Sequence, residues 1–279
     1  MRRFSRFGLA IAVAAMSSVL AAATGCAAGG DAPDPPAPAS TFPAIAAFDY
    51  QLGAPYPPAP GVQLVVRDRT APPADDAYSV CYVNAFQTQP GDESTWPEEL
   101  LLTVDGGRVT DPEWPDEYLL DASTDDKREA IAGVISAWIE GCAADGFRAV
   151  EFDNLDSFTR SRGALSLDDN IALAARLAAT AHESGLAVGQ KNAAEHALRL
   201  REEAGFDFAV AEECAAYDEC SAYTEVYADA VIDIEYADNL PRRFEEMCRD
   251  ADSPRAMILR DRELVIPGAD GYVSESCRE

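Results

Sequence analysis

The chain has 279 residues, enough for one large domain with a well-filled core. Its 22 Lys and Arg stand against 49 Asp and Glu, a formal charge of −27. That balance argues against nucleic acid or an anionic membrane surface as a partner, since either calls for a basic face, and it suits a cationic ligand.

The first residues read as a targeting segment. Arg2, Arg3 and Arg6 give a basic start, and residues 7–23 form an apolar run too short for a comfortable membrane span. The run ends Ala22-Ala23-Thr24-Gly25-Cys26, small residues directly before a cysteine, as at a bacterial lipoprotein processing site. Residues 1–25 are therefore expected to be a signal peptide of the lipoprotein type, with Cys26 lipidated and anchoring the protein to the membrane. Ordinary signal cleavage and secretion is the alternative. Residues 26–44, rich in Pro, Ala and Gly, read as a flexible tether, and residues 45–279 as the exported domain. Export makes the remaining six cysteines, Cys81, Cys142, Cys214, Cys220, Cys248 and Cys277, candidates for disulfides. Six cysteines allow fifteen pairings; Cys214 with Cys220, Cys248 with Cys277 and Cys81 with Cys142 is one that sequence proximity suggests. The two histidines, His182 and His196, lie in helical patterns without metal-ligand spacing, so no metal site and no cofactor are expected.

Short apolar runs then alternate with helical patterns. Strands are predicted at 45–52, 62–66, 77–85, 147–153, 186–192, 206–213, 231–236 and 256–261. Thr124 and Ser166 read as helix caps, Gly185 and Gly205 as helix stops, and Pro241 suits the first turn of a last helix. A long irregular segment, 86–118, holds Trp96 and Trp114, sugar platforms or plugs over a barrel rim. Eight such units predict a single (β/α)8 TIM-like barrel. An open dinucleotide-binding sheet would show a glycine-rich turn after its first strand, which Gly53 alone does not supply.

Polar residues recur at the carboxyl ends of these strands: Asp68, Asn84, Glu151 and Asp153, Lys191 and Asn192, Glu212 and Glu213, Glu235 and Tyr236, and Asp261. In a barrel those ends converge on one face, where active sites sit. Acids without a histidine pair, a nucleophilic serine motif or a metal box point to glycoside cleavage, which needs two carboxyl groups.

The stretches Cys81-Tyr82-Val83-Asn84-Ala85, Val150-Glu151-Phe152-Asp153-Asn154-Leu155-Asp156, Val188-Gly189-Gln190-Lys191-Asn192, Phe208-Ala209-Val210-Ala211-Glu212-Glu213-Cys214 and Ile234-Glu235-Tyr236 resemble, in order, the motifs of family-114 glycoside hydrolases. These are secreted endo-α-1,4-polygalactosaminidases on a TIM-like barrel. The resemblance implies Asp153 and Glu212 as the catalytic pair, Asp153 as nucleophile and Glu212 as general acid/base in a retaining mechanism. It implies Asp49, Gln51, Asp68, Tyr82, Glu151, Lys191, Asn192, Glu235 and Tyr236 as substrate-binding residues, the acids among them as groups for a cationic amino-sugar polymer. Pairing inside the barrel, for example with Lys191, is the competing role for Glu151 and Glu235. Where the family commonly has tryptophans and a proline, this chain has Phe48, Tyr50 and Phe152, changes that bear on sugar specificity rather than reaction class. A monomeric exported glycosidase is the expectation; an envelope lipoprotein that binds a cationic polysaccharide without cleaving it is the alternative.

Overall fold

The computed structural model describes residues 42–277. The signal peptide, Cys26 and most of the proposed tether lie outside the described residues.

Eight parallel strands run in chain order around one sheet: β1 Phe48–Gln51, β2 Leu64–Asp68, β3 Tyr78–Asn84, β6 Ala149–Asp153, β7 Ala187–Lys191, β8 Phe208–Glu212, β9 Val231–Tyr236 and β10 Ala256–Arg260. A small hairpin, β4 Thr103–Val104 with β5 Gly107–Arg108, turns through Asp105 and Gly106, both at positive φ, inside the segment expected to be irregular. A ninth strand of the main sheet, β11 Ser274–Ser276, pairs antiparallel with β10. The helices are α1 Asp125–Asp145, α2 Ser157–Arg160, α3 Leu167–Glu183, α4 Ala197–Arg199, α5 Cys220–Tyr227 and α6 Phe244–Met247. The architecture is the TIM-like barrel expected from the alternating pattern.

Local chemistry explains the helix ends. The Thr124 side chain accepts the Lys127 amide, and Gly146 closes α1 at a φ of 102°. Ser166 and Asp169 form a reciprocal capping box on α3. The helix expected to stop at Gly205 is broken into a 3₁₀ turn, the one-turn α4 and a wide turn to Gly205, behind Ala193 in the left-handed region. Pro241 precedes α6 rather than entering it, because Arg243 is still extended. α5 had no strong periodic signal and was not anticipated.

Period-two alternation sorts the core into two regions. Phe48, Tyr50, Leu64, Val66, Val80, Tyr82, Ala149, Ala187, Phe208, Val210, Ile232, Ile234, Ala256 and Ile258 fill the barrel interior. Their neighbours in each strand face the helices, where Val83, Val150, Phe152, Val188 and Ala209 meet α1 and α3. Phe42 stacks on Phe208 with ring centroids 4.0 Å apart, filling the barrel below. No ladder joins β1 to β10 among the described residues. Arg260, fully buried, spans that seam, donating to the Tyr50 carbonyl, to the Val273 carbonyl (3.0 Å) and to the Val265 carbonyl (3.2 Å).

Disulfides join Cys81 to Cys142, Cys214 to Cys220 and Cys248 to Cys277. They tie β3 to α1, close the loop between β8 and α5, and fasten the C-terminal segment beside α6. Trp96 is buried edge-on against Trp138 of α1, with centroids 5.5 Å apart, so it is a packing residue and not a platform. Trp114 is 49% exposed.

Candidate active site

Three strands end in the groups that make the site. Glu151 and Asp153 share the inward face of β6, Lys191 ends β7 and Glu212 ends β8. The chain then turns sharply: Asn154, Asn192, Ala193 and Glu213 all have φ between 60° and 64°. Four residues in the left-handed region just past three adjacent strands cost backbone energy, most for Ala193 and Glu213, and such strain gathers at functional sites.

Lys191, 3% exposed, is the hub. Its Nζ lies 3.0 Å from Asp153 Oδ2, 3.3 Å from Glu212 Oε1 and 3.8 Å from Glu151 Oε1. It also sits 5.0 Å from the Tyr82 ring centroid and 5.3 Å from that of Tyr50. Burial works against its charge, but Asp153 and Glu212 outweigh burial and hold the ammonium well above the usual lysine range. Asp153 Oδ2 and Glu212 Oε1 are thus no farther apart than the sum of their two distances to Nζ, 6.3 Å.

Each acid has its own tyrosine. Tyr82 donates to Asp153 Oδ2 (2.7 Å), Tyr236 to Glu212 Oε1 (2.5 Å) and Tyr50 to Glu151 Oε1 (2.6 Å). Burial, then the nearby acids, raises all three phenols, so they remain donors at neutral pH. Burial pushes Asp153 upward, but Lys191, the Tyr82 hydroxyl and the Asn154 amide reverse that and hold it below the usual carboxylate range. Glu151, one layer deeper and fully buried, is pushed up to about 8 by burial, against the pull of Lys191 and Tyr50. Asn192 donates to Glu212 Oε2 at 2.9 Å. Arg262 lies 4.4 Å from the Tyr236 centroid and ion-pairs with Glu213 at 2.9 Å, which fixes the ring that serves Glu212.

Above these groups is a cleft of about 530 Å³. Asp153, Lys191, Glu212, Tyr82, Asn192 and Tyr236 line it, so six of the residues singled out from sequence meet there. Trp114, Glu117 and Arg160 come from the segments after β3 and β6; Tyr217 and Arg262 come from those after β8 and β10.

The other five residues expected to contact substrate are not among those lining this cleft. Asp49 and Gln51 face away from the barrel interior because Phe48 and Tyr50 occupy it. Asp49 accepts from Gln51 Nε2 and the Tyr56 hydroxyl, both at 2.8 Å, and Gln51 Oε1 accepts from Arg67 Nε at 3.0 Å. Asp68 orders its own loop, accepting from the Thr70 amide (2.9 Å) and Gln89 Nε2 (3.0 Å). Glu151 lies under Lys191, out of reach of solvent. Glu235 faces outward, because Ile234 and Tyr236 face in; its Oε1 accepts the Ala215 amide at 2.8 Å, and its charge acts against that of Asp233. Sequence reasoning missed Tyr50 as a carboxylate partner and Glu117, Arg160 and Arg262 altogether. Tyr50 had a signal in its inward parity with Phe48; Glu117 and Arg262 sit in loops and Arg160 ends the one-turn α2, where no periodicity assigns a direction.

The family model described as glycoside-hydrolase family GH114 matches residues 30–279. Among solved structures, the chain is similar to Aspergillus fumigatus Ega3 in complex with galactosamine, at 19% identity and a TM-score of 0.69, covering 86% of this chain and 99% of that one. It is also similar to the glycoside hydrolase domain of PelA from Pseudomonas aeruginosa, at 14% identity and a TM-score of 0.54, covering 84% of this chain and 99% of that domain. At those identities the two structures speak for a shared fold. No curated protein sequence matches the chain.

Proposed function

The chain belongs to glycoside-hydrolase family GH114, and from that premise we propose that this glycosidase cleaves an α-1,4-linked, galactosamine-containing polysaccharide internally and with retention. The observation that carries the reading is the convergence of Asp153 and Glu212 on the single ammonium of Lys191. The two carboxylate oxygens that face Lys191 are at most 6.3 Å apart, which is compatible with the about 5–5.5 Å of retaining pairs. The galactosamine held by the similar Aspergillus structure supports an amino sugar as ligand.

In the first step Asp153 attacks the anomeric carbon while Glu212, protonated, gives its proton to the departing glycosidic oxygen. Asp153 becomes a neutral ester as Glu212 becomes a carboxylate. One negative charge thus moves from one neighbour of Lys191 to the other, and the ammonium needs no rearrangement to serve each in turn. In the second step Glu212 takes a proton from water, the oxygen attacks the anomeric carbon, and Asp153 leaves as a carboxylate. Tyr82 and Tyr236 hold the two acids in place throughout.

The proposal extends to an exported protein with a signal peptide over residues 1–25, lipidation at Cys26, a tether to residue 44 and a monomeric catalytic domain beyond it. The three disulfides are compatible with an extracytoplasmic site. The test is hydrolysis of partly deacetylated galactosaminogalactan, with the anomer of the first product read by NMR. Asp153→Asn and Glu212→Gln should each lose about 10²- to 10⁴-fold in turnover. Full activity in both variants sinks the assignment of the pair, and binding without product release by the wild type favours the non-catalytic lipoprotein.

A further inference from the structure

The acids that line the cleft and are at least partly buried are matched to cations with one exception; Glu113 and Glu263, also on its wall, are exposed. Asp153 and Glu212 share Lys191, Asp111 and Asp156 each lie 2.7 Å from the Arg160 guanidinium, and Glu213 pairs with Arg262. Glu117, partly buried in the same wall, has no cation within ion-pairing distance among the described residues. It is held by two neutral amides. Asn84 Nδ2 donates to its Oε2 at 3.0 Å and Gln87 Nε2 to the same oxygen at 3.1 Å.

Neither amide can turn away. Asn84 Oδ1 accepts from Asn154 Nδ2 (2.9 Å) and from the Gln87 backbone amide (3.2 Å), so its NH2 must face Glu117. Gln87 Oε1 accepts from Arg160 at 3.0 Å, which fixes its NH2 in the same way. The second carboxylate oxygen, Oε1, has no hydrogen-bond partner among the described residues. An amide orients a carboxylate without neutralising it, so a buried charge held only by amides still favours a cation nearby. The groups around Glu117 sharpen this. Burial, with Asp153 of β6 and Asp111 of its own loop acting against its charge, pushes it up to about 7, while Arg160 is already engaged by Asp111 and Asp156. Lys191 is engaged by the acids below.

The same turn carries an apolar surface. The Glu117 amide donates to the Trp114 carbonyl at 2.9 Å, so one tight turn presents a half-exposed indole and an uncompensated carboxylate to the cleft. An indole face suits the apolar face of a sugar ring, and a carboxylate beside it suits an amine on that ring.

We propose that Glu117 is a specificity-determining residue that binds the free ammonium group of an unacetylated hexosamine unit next to the cleavage site, with Trp114 carrying that unit's ring. This rests on the reading of the cleft as a glycosidase site for an amino-sugar polymer. It assigns the preference for deacetylated substrate to one residue of a loop rather than to the acids of the strands.

The experiment compares wild type with Glu117→Gln, which keeps the shape and removes the charge. Cleavage and calorimetric binding are both measured, with de-N-acetylated and fully N-acetylated galactosamine oligosaccharides. A charge-assisted contact sets the expected loss at about 10- to 100-fold in binding and in kcat/KM for the deacetylated oligosaccharide. The acetylated one should change less than about twofold, since no ammonium is removed. The rise of wild-type kcat/KM near pH 7 on the deacetylated substrate should be absent in the variant. Glu117→Asp should recover part of the loss. Equal losses on both substrates, or none on either, overturn the assignment. If the wild type binds the deacetylated oligosaccharide and releases no product, the hydrolase reading fails, while Glu117 is still judged by whether E117Q weakens that binding. Failure of the wild type to bind either oligosaccharide overturns both.

Discussion

Replacing Lys191 with methionine keeps most of the side-chain volume and removes the ammonium that three buried or half-buried carboxyl groups share. At an effective dielectric near 20, a unit pair at 3.0 Å is worth about 5 kcal/mol before the cost of burying both charges. Breaking such a pair from one side costs about 3–5 kcal/mol, because the remaining carboxylates are left uncompensated. The loss should depend on pH in a definite direction. In the wild type Asp153 is held below its usual range, so its contribution is present above that range and fades as pH falls through the lowered value. Glu151 is already raised to about 8 with Lys191 present, so without Lys191 it is Asp153 that burial newly raises. A raised carboxyl favours the fold below its ordinary pKa and loses that advantage as pH rises. The stability gap between wild type and Lys191→Met should therefore be small near pH 4.5 and widen towards pH 8, by up to about 1.4 kcal/mol per pH unit for each proton retained. Urea midpoints with the disulfides intact, taken at several pH values, measure it. Adding Glu151→Gln should narrow the gap at pH 8. A gap that is the same at pH 4.5 and pH 8 refutes the reasoning.

Two further substitutions probe the layers on either side of the barrel wall. Asp233 is held well above the usual carboxylate range by burial and by Glu235, so its stabilising contribution is present at low pH and is lost as pH rises. Asp233→Asn supplies a permanent donor to Glu235, and its melting temperature relative to wild type should climb between about pH 5 and pH 9; a constant offset counts against a shared proton. Gly189 faces the interior directly against the Phe208 ring, on which Phe42 stacks. Gly189→Ala should cost about 1–3 kcal/mol in chemical denaturation, less in a Phe208→Leu background, and equal costs in the two backgrounds would place the strain elsewhere.

The barrel was legible because each strand combined an apolar run with a polar end, and because Thr124, Ser166, Gly185 and Gly205 punctuated the helices. What could not be read was direction within loops. Trp96 and Trp114 looked alike in sequence, yet one packs edge-on against Trp138 and the other stands half-exposed beside the cleft. Arg160 and Arg262 carried no periodic signal, and their roles come from contacts made across the loops that follow separate strands. α5 was hidden for a different reason: its start is set by the loop that Cys214 and Cys220 close, not by a strong amphipathic repeat.

Direction within strands was legible, and it sorts the polar strand-end residues between the interior and the outer face. Neighbouring residues in a strand face opposite sides, so Glu235 and Tyr236 cannot both address the cleft, nor can Asp49 and Tyr50 both enter the interior. Ile232 and Ile234 are the apolar choice for an interior position, which makes Tyr236 the inward residue and leaves Glu235 outside. The same parity puts Tyr50 inside and gives Glu151 its donor. The argument from net charge changes accordingly. The acids first credited with attracting a cation, Asp49, Asp68, Glu151 and Glu235, each accept a hydrogen bond within the protein, although Glu151 Oε2 and Glu235 Oε2 are buried without a partner among the described residues. The chain's large negative charge therefore says little about recognition, whereas the local balance says much: among the partly buried groups of the cleft, cation and carboxylate are matched until Glu117 is reached.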